Sequence, residues 1–463
     1  MRLKPAESVP PERSEQQLKI YSQLKRVRHG APKYKWGGVM GWVAAAHALV
    51  PKISSADRHN PAQFPLQQAI ECLKPKLRLA VIFGGNKEDL GSVLYRSQNT
   101  RSWKSYEIVA EDIAASLRRS GFKHVSVMPE DMNLGERLRR DGIHMAWLNT
   151  GGVQGRNSCA HAASTLEMLG IPYVGHDPLS ATTLDNKHAF KREAVCAGLP
   201  TAMFTTWDMT RGPFDPKRNS RFVIAFGEYR GPFIVKPVSG RASLNVHVVQ
   251  DISELPEAVA EVYRHSGNLV LIEKYLSGRE FCIAVAGKIT AKNGVIRHGE
   301  KPFAFGALER LFGEEELIFT SMDTRPITGA RFKEVDRSET ALWSELHELG
   351  RQVFLEFNLG SIIRIDLRAD ERGRLHILEA NPKPDLKYPT AGVTSLVHAG
   401  LAQTDLDYDD LIMSLFADRL NFVLEHSRDA VGHISELLLD AEQDGSPVFA
   451  KTLTELAHAM RAG

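Results

Sequence analysis

The chain has 463 residues, of which 43% are hydrophobic and 25% charged, with 58 basic and 56 acidic side chains and a net charge of +2. That is the composition of a soluble globular protein long enough for roughly two to four domains, and it gives no electrostatic case for nucleic acid or an acidic membrane surface. The four cysteines, Cys72, Cys159, Cys196 and Cys282, lie far apart without metal-ligand spacing, which predicts free thiols in a reducing cytoplasm and argues against a zinc site or disulfide framework.

Residues 1–75 are mixed and proline-punctuated, with short basic or aromatic-basic patches at Lys25–His29 and Pro32–Trp36. They open on charges and prolines, not on a signal-peptide pattern, and the apolar run Val39–Val50 is too short to span a bilayer. They read as an extension lying on the main body. Leu77–Gly85 is a continuous apolar run suited to a buried parallel strand. Tyr106–Gly121 reads as an amphipathic helix with Ile108, Val109, Ile113 and Leu117 apolar. Strand-like Val125–Met128 and Met145–Leu148, a helix at Ala160–Leu169 and the short Pro172–Gly175 follow. Alternating strands and helices over residues 76–175 predict an open α/β domain with its ligand edge at the strand C-termini.

From Asp185 the pattern changes to α+β. A helix at Lys187–Ala197 stops at Gly198, where Cys196 sits in an apolar run and reads as a buried small hydrophobe, as Cys282 does. Strand-like Phe233–Lys236, Asn245–Gln250, Leu269–Glu273 and Glu280–Ala286 are interrupted by a helix at Glu254–Arg264. Ile362–Arg368 and Leu375–Ala380 flank the turn-forming segment Asp370–Gly373, a hairpin signal. Asp405–Gly463 is helical by period, with Leu411, Leu415 and Leu420 on one broad face.

Several side chains on this frame suit phosphoryl chemistry. Lys236 ends an apolar strand; by itself it reads as a lysine reaching to solvent, with no acidic neighbour in sequence. The loop Val238–Val246, which includes Ser243, is rich in small and hydroxyl residues whose amides could approach phosphates. Lys187 and Lys191 lie one helical turn apart, which alone reads as a solvated face. Leu269–Phe281 delivers Glu273 and then Glu280, with backbone groups around Lys274, Tyr275 and Leu276 placed to meet a nucleobase edge. On the hairpin, Asp366, Glu379 and Asn381 offer the oxygen donors that Mg²⁺ takes together with substrate phosphates, and Arg364 shares a strand face with Asp366.

The order of these pieces resembles the ATP-grasp superfamily, and within it the D-alanine–D-alanine ligase family, over about residues 77 to 400. Gly170–Phe204 resembles that family's link between its N-terminal and central domains. The resemblance implies three domains, an open α/β domain (76–175) and two α+β subdomains (about 186–280 and 281–400, within 176–400) sandwiching ATP. N- and C-terminal extensions (1–75 and 401–463) would flank them. It implies that Lys187 and Lys236 hold ATP phosphates and that Glu273, Lys274, Tyr275, Leu276 and Glu280 frame adenine and ribose. Asp366, Glu379 and Asn381 would bind two Mg²⁺ ions, with Mn²⁺ as a substitute, and Arg364 and Ser243 would act at the transferred phosphate. The implied reaction joins a small-molecule carboxylate to an amine through an acyl phosphate, in a cytoplasmic enzyme with no nucleic-acid or membrane partner and with a homodimer left open.

This chain departs from the family around the amino-acid pockets. The loop Asn149–Ala162 lacks the family's acid, and the acid for the first substrate's ammonium is unassigned, with Glu88 and Asp89 as candidates. Asp385 stands where a glycine is usual, flanked by Lys383 and Lys387. The pair that binds the second substrate's carboxylate is expected at Ser395–Leu396, and Phe303–Thr320 holds no counterpart of the family's loop tyrosine. These departures predict altered substrates. A bicarbonate-using carboxylase and a non-catalytic ATP-binding module are the alternatives.

Overall fold

Side-chain alternation along β1 (Arg78–Phe83) sets the first layer. Leu79, Val81 and Phe83 join a core with α1 (Leu66–Leu73) and α2 (Glu107–Arg119), while Ala80 and Ile82 face α3 (Leu134–Arg140) and α4 (His161–Met168). A strand apolar on both faces belongs inside a parallel sheet. It pairs in parallel with β2 (His124–Pro129) and β3 (Met145–Asn149), and β4 (Tyr173–Val174) completes the order β2-β1-β3-β4. Ile108 departs from expectation at 73% exposed, because the buried stripe runs through Val109, Ala110, Ile113, Ala114 and Leu117.

This computed structural model describes residues 66–85, 106–155, 157–240, 243–313, 316–319, 326–390, 392–426, 433–434 and 437–438. The features expected at 25–29, 32–36 and 39–50, the acids Glu88 and Asp89, and residues 439–463 lie outside the described residues.

Two capped helices lead to the second layer. Asp177 caps α5 (Pro178–Asp185) and Asn186 caps α6 (Lys187–Cys196), each accepting backbone N–H groups at the helix start. An antiparallel sheet follows, in the order β5 (Phe204–Trp207), β8 (Val270–Lys274), β6 (Phe233–Pro237) and β7 (His247–Val249). Phe233, Val235, Val270 and Ile272 pack on one face against α7 (Ser220–Phe226) and α8 (Leu255–Ser266). The period of two therefore sends Ile234, Lys236, Leu271 and Glu273 to the other face.

A third sheet runs β13-β12-β9-β14-β15, and β10 (Ile289–Lys292) and β11 (Val295–His298) form a separate hairpin. In chain order its strands are β9 (Glu280–Ala286), β12 (Phe303–Arg310), β13 (Phe332–Glu334), β14 (Ile363–Ala369) and β15 (Leu375–Asn381). Phe281, Ile283, Val285, Ile363, Ile365 and Leu367 pack under α9 (Thr340–Glu356). Their neighbours Glu280, Arg364, Asp366 and Arg368 face away from that helix. A bulge adds Leu378 opposite the Asp366–Leu367 step, so that Glu379 pairs with Asp366 while Ile377 pairs with Leu367.

Ser395 caps the short α10 (Leu396–Gly400), and α11 (Tyr408–His426) then returns to the first sheet. The expected Leu411, Leu415 and Leu420 are all buried, and the Phe416 and Phe122 rings meet edge-on at 4.8 Å. Arg119 holds Asp409 through two bonds of 2.8 and 2.6 Å. No described helix is long and apolar enough to cross a membrane. All four cysteines are free, as expected, but Cys196 is exposed and only Cys282 is buried in the way predicted for both.

Candidate active site

The polar faces of the second and third sheets, with the start of α6, bound an open cavity whose empty space, solvent at its mouth included, is about 840 Å³. Lys187, Lys236, Ser243, Glu273, Lys274, Tyr275, Leu276, Glu280, Asp366 and Glu379, all expected from the sequence, border it. Arg364 and Asn381 do not, but both touch Asp366. Its lining includes the apolar Ile234, Leu276, Ile318 and Leu378 and the charged Lys187, Lys236 and Glu379. The amides of Lys274 and Tyr275 donate to the carbonyls of Met203 and Pro232, whereas the Leu276 amide has no acceptor among the described residues.

The charges fall into three linked groups. Lys187 Nζ lies 3.1 Å from Glu379 and donates to the Gly240 carbonyl at 2.9 Å. Glu273 sits between Lys191, at 2.7 Å, and Lys236. Burial raises the Glu273 carboxyl, but the two ammonium groups outweigh it and hold it down to about 2. Asp366 takes Arg364 at 2.9 and 3.0 Å and Arg310 at 2.7 Å, and Arg310 also holds Glu280 at 2.9 Å. Burial again opposes ionisation of Asp366, and the two guanidinium groups prevail, holding it down to about 2.

The family model for the D-Ala D-Ala ligase C-terminus matches residues 195–417. The D-alanine–D-alanine ligase of Pelobacter propionicus is 25% identical over 301 residues, covering 65% of this chain and 86% of that protein. The one from Citrifermentans bemidjiense is 26% identical over 318 residues, covering 68% and 89%. Over residues 195–417 the chain is D-alanine–D-alanine ligase-like, and together with these relatives the match indicates an ATP-grasp ligase. Its fold matches the crystal structure of D-alanine–D-alanine ligase from Bacillus anthracis complexed with ATP, with a TM-score of 0.56 at 18% identity, over 75% of this chain and 99% of that one. The ligase thus has the mixed α/β fold that the motif order implied.

Some expected residues of the ligase are engaged differently from their anticipated roles. Lys191 is fully buried against Glu273 and the Thr201 hydroxyl, not solvated, because β8 carries Glu273 directly beneath α6. Lys236 likewise does not reach freely to solvent, since Glu273 comes to it from the neighbouring strand. Glu273, expected at adenine and ribose, has its carboxylate between these two lysines. Ser243 Oγ donates to the Phe319 carbonyl at 2.9 Å, tying the phosphate-loop candidate to the segment 316–319 that borders the cavity. Ser395 is fully buried as a helix cap, so Ser395–Leu396 does not border this cavity. Asp385 accepts the Lys387 amide at 3.0 Å, and Lys383 Nζ stands 3.5 Å from the centre of the Tyr106 ring.

Three features of the ligase were not read from its sequence. Arg310 comes from β12, a strand whose alternation is broken by a register shift between Phe305 and Leu308. Arg368 lies two residues beyond Asp366, so period two alone would have placed it on the same face; it donates to the Tyr275 hydroxyl and the Leu317 carbonyl, both at 3.0 Å. Glu130, at the end of the first-sheet strands, accepts the Thr150 hydroxyl and so brings a buried acid to the loop that lacks one of its own. Burial pushes the Glu130 carboxyl up to about 7.

Proposed function

We propose that this chain is an ATP- and Mg²⁺-dependent carboxylate–amine ligase working through an acyl phosphate, with amino-acid pockets that differ from those of its D-alanine-using relatives. The observation that carries the reading is one cavity bordered both by the apolar Ile234, Leu276 and Leu378 and by Lys187, Lys236 and Glu379. Ile234, Leu276 and Leu378 would cover the base, with the Leu276 amide, which has no acceptor among the described residues, as a donor to its edge, and Lys187 and Lys236 would hold the phosphates. Glu280, the first acid beyond the linker, is the candidate for the ribose.

Glu379 and Asn381 supply hard oxygen donors that suit Mg²⁺, beside Asp366 on the adjacent strand. Among the described residues no three acidic, histidine or cysteine side chains converge on a metal position, so nucleotide phosphates would complete the coordination. Bound there, Mg²⁺ would neutralise charge on the phosphates. In the first step a substrate carboxylate oxygen bonds to the terminal phosphorus as its bond to the ADP oxygen breaks. The amine nitrogen then attacks the acyl carbon, losing a proton, and phosphate leaves. Lys187, Lys236 and Arg364 stabilise the negative charge that moves along this path.

The test is a panel of acids and amines with ATP and Mg²⁺, read by phosphate release and product mass. A ligated product with stoichiometric phosphate supports the reading, and bicarbonate-dependent ATP turnover would replace it with a carboxylase. ATP binding without turnover over a broad panel would make the chain a binding module. With D-alanine alone we expect little dipeptide, because Ser395–Leu396 is packed away from the cavity. Dipeptide formed at an ordinary rate, on the order of 1–10³ per second, would remove the claim of altered pockets.

A further inference from the structure

Arg310 is the least expected group in the cavity wall. Its side chain is 6% exposed, and its Nε has no hydrogen-bond partner among the described residues. Two carboxylates, Glu280 at 2.9 Å and Asp366 at 2.7 Å, hold its other nitrogens, and the Phe319 ring covers it with its centre 4.9 Å away. A guanidinium pinned at two acids and roofed by an aromatic ring is a fixed positive charge that cannot swing to solvent.

Asp366 is correspondingly full. Arg310 and Arg364 both donate to its Oδ1, while its Oδ2 takes Arg364 at 3.0 Å and the Asn381 amide at 3.4 Å. A carboxylate offers about four lone-pair sites, so bridging two divalent ions would require it to shed both arginines. Glu379 is different: it is partly exposed and meets Lys187 at 3.1 Å.

Charge balance agrees. The Lys187–Glu379 group is neutral, while Lys191–Glu273–Lys236 and the arginine group around Asp366 and Glu280 each carry one surplus positive charge. A nucleoside triphosphate with one Mg²⁺ carries roughly two negative charges, which neutralises the site. A second ion would leave two positive charges in a buried cluster without partners, a costly arrangement.

We infer that Arg310 takes the place of a second divalent cation beside Asp366, so that the nucleotide is bound with one ion, held by Glu379 and Asn381, and not with two. This rests on the nucleotide reading above. The experiment uses the full chain with Mn²⁺ and the β,γ-imido analogue of ATP, counting bound Mn²⁺ by paramagnetic resonance and bound analogue by calorimetry. One Mn²⁺ per bound analogue is expected for the parent chain; two overturn the inference and leave the nucleotide reading standing. Failure to bind the analogue overturns both. In Arg310→Gln the count should rise from one to two, and a count that stays at one in a folded variant removes Arg310 from the role. The parent count is decisive even if that variant does not fold.

Discussion

Replacing Glu273 by glutamine removes the one negative charge between two buried ammonium groups. Glu273 is 2% exposed, Lys191 is fully buried and Lys236 nearly so. The carboxyl lies at about 2 in the folded chain against an ordinary 4.5. Because the folded value is the lower, the stabilisation is complete above pH 4.5 and is lost as pH falls toward 2. The depression corresponds to about 3 kcal/mol at neutral pH, close to the ~3–5 kcal/mol that follows removal of one partner from a buried pair. Glu273→Gln should therefore lose about 3 kcal/mol at pH 7, seen as a lower urea midpoint at unchanged slope. The gap to the parent should narrow below pH 4.5, as the parent's own carboxyl takes up a proton. Adding Lys191→Met should restore part of the loss, since it removes an ammonium left without a counter-charge. A loss under about 1 kcal/mol at pH 7, unaltered by acid, would refute the reasoning.

Lys236→Ala should weaken ATP binding by roughly 10- to 100-fold, the loss of a hydrogen bond to a charged group; unchanged affinity by calorimetry would put the phosphate site elsewhere. It should also cost stability, because Glu273 keeps only Lys191. Glu379→Gln should reduce turnover more than Asn381→Ala, since a charged oxygen donor contributes more to a hard cation than a neutral one; the reverse order in phosphate release would displace the metal from β15. Glu130→Gln should match the parent below pH 4.5 and be more stable near pH 8 by about 3 kcal/mol. Its folded value of about 7 lies above the ordinary 4.5, so the parent loses stability as pH rises between them. Parallel urea midpoints at both pH values would show that burial of Glu130 carries no such cost.

Local pattern was enough for much of this protein. The continuous apolar run at Leu79–Phe83 can only be satisfied by cover on both faces, and its parallel neighbours follow from that requirement. The hairpin around Asp370–Gly373 was legible because turn residues separate two alternating runs, and the alternation itself put Arg364 and Asp366 on one face. The order of the lysine, acid and amide motifs was likewise a property of the chain alone, and it pointed to the family that residues 195–417 match.

Partnership across sheets was decided only by tertiary structure. Lys236 and Glu273 are far apart in sequence, and antiparallel pairing of β6 with β8 brings them to one face. Lys191 reads as a solvated helix position until the fold lays α6 over β8 and leaves it no route to water. Arg310 lies on a strand whose bulge hides its alternation, and it meets Asp366 because β9 pairs with β12 on one edge and β14 on the other. An ion pair between distant residues leaves no periodic trace in a sequence, since its energy depends on the low-dielectric space that only the packed sheets create.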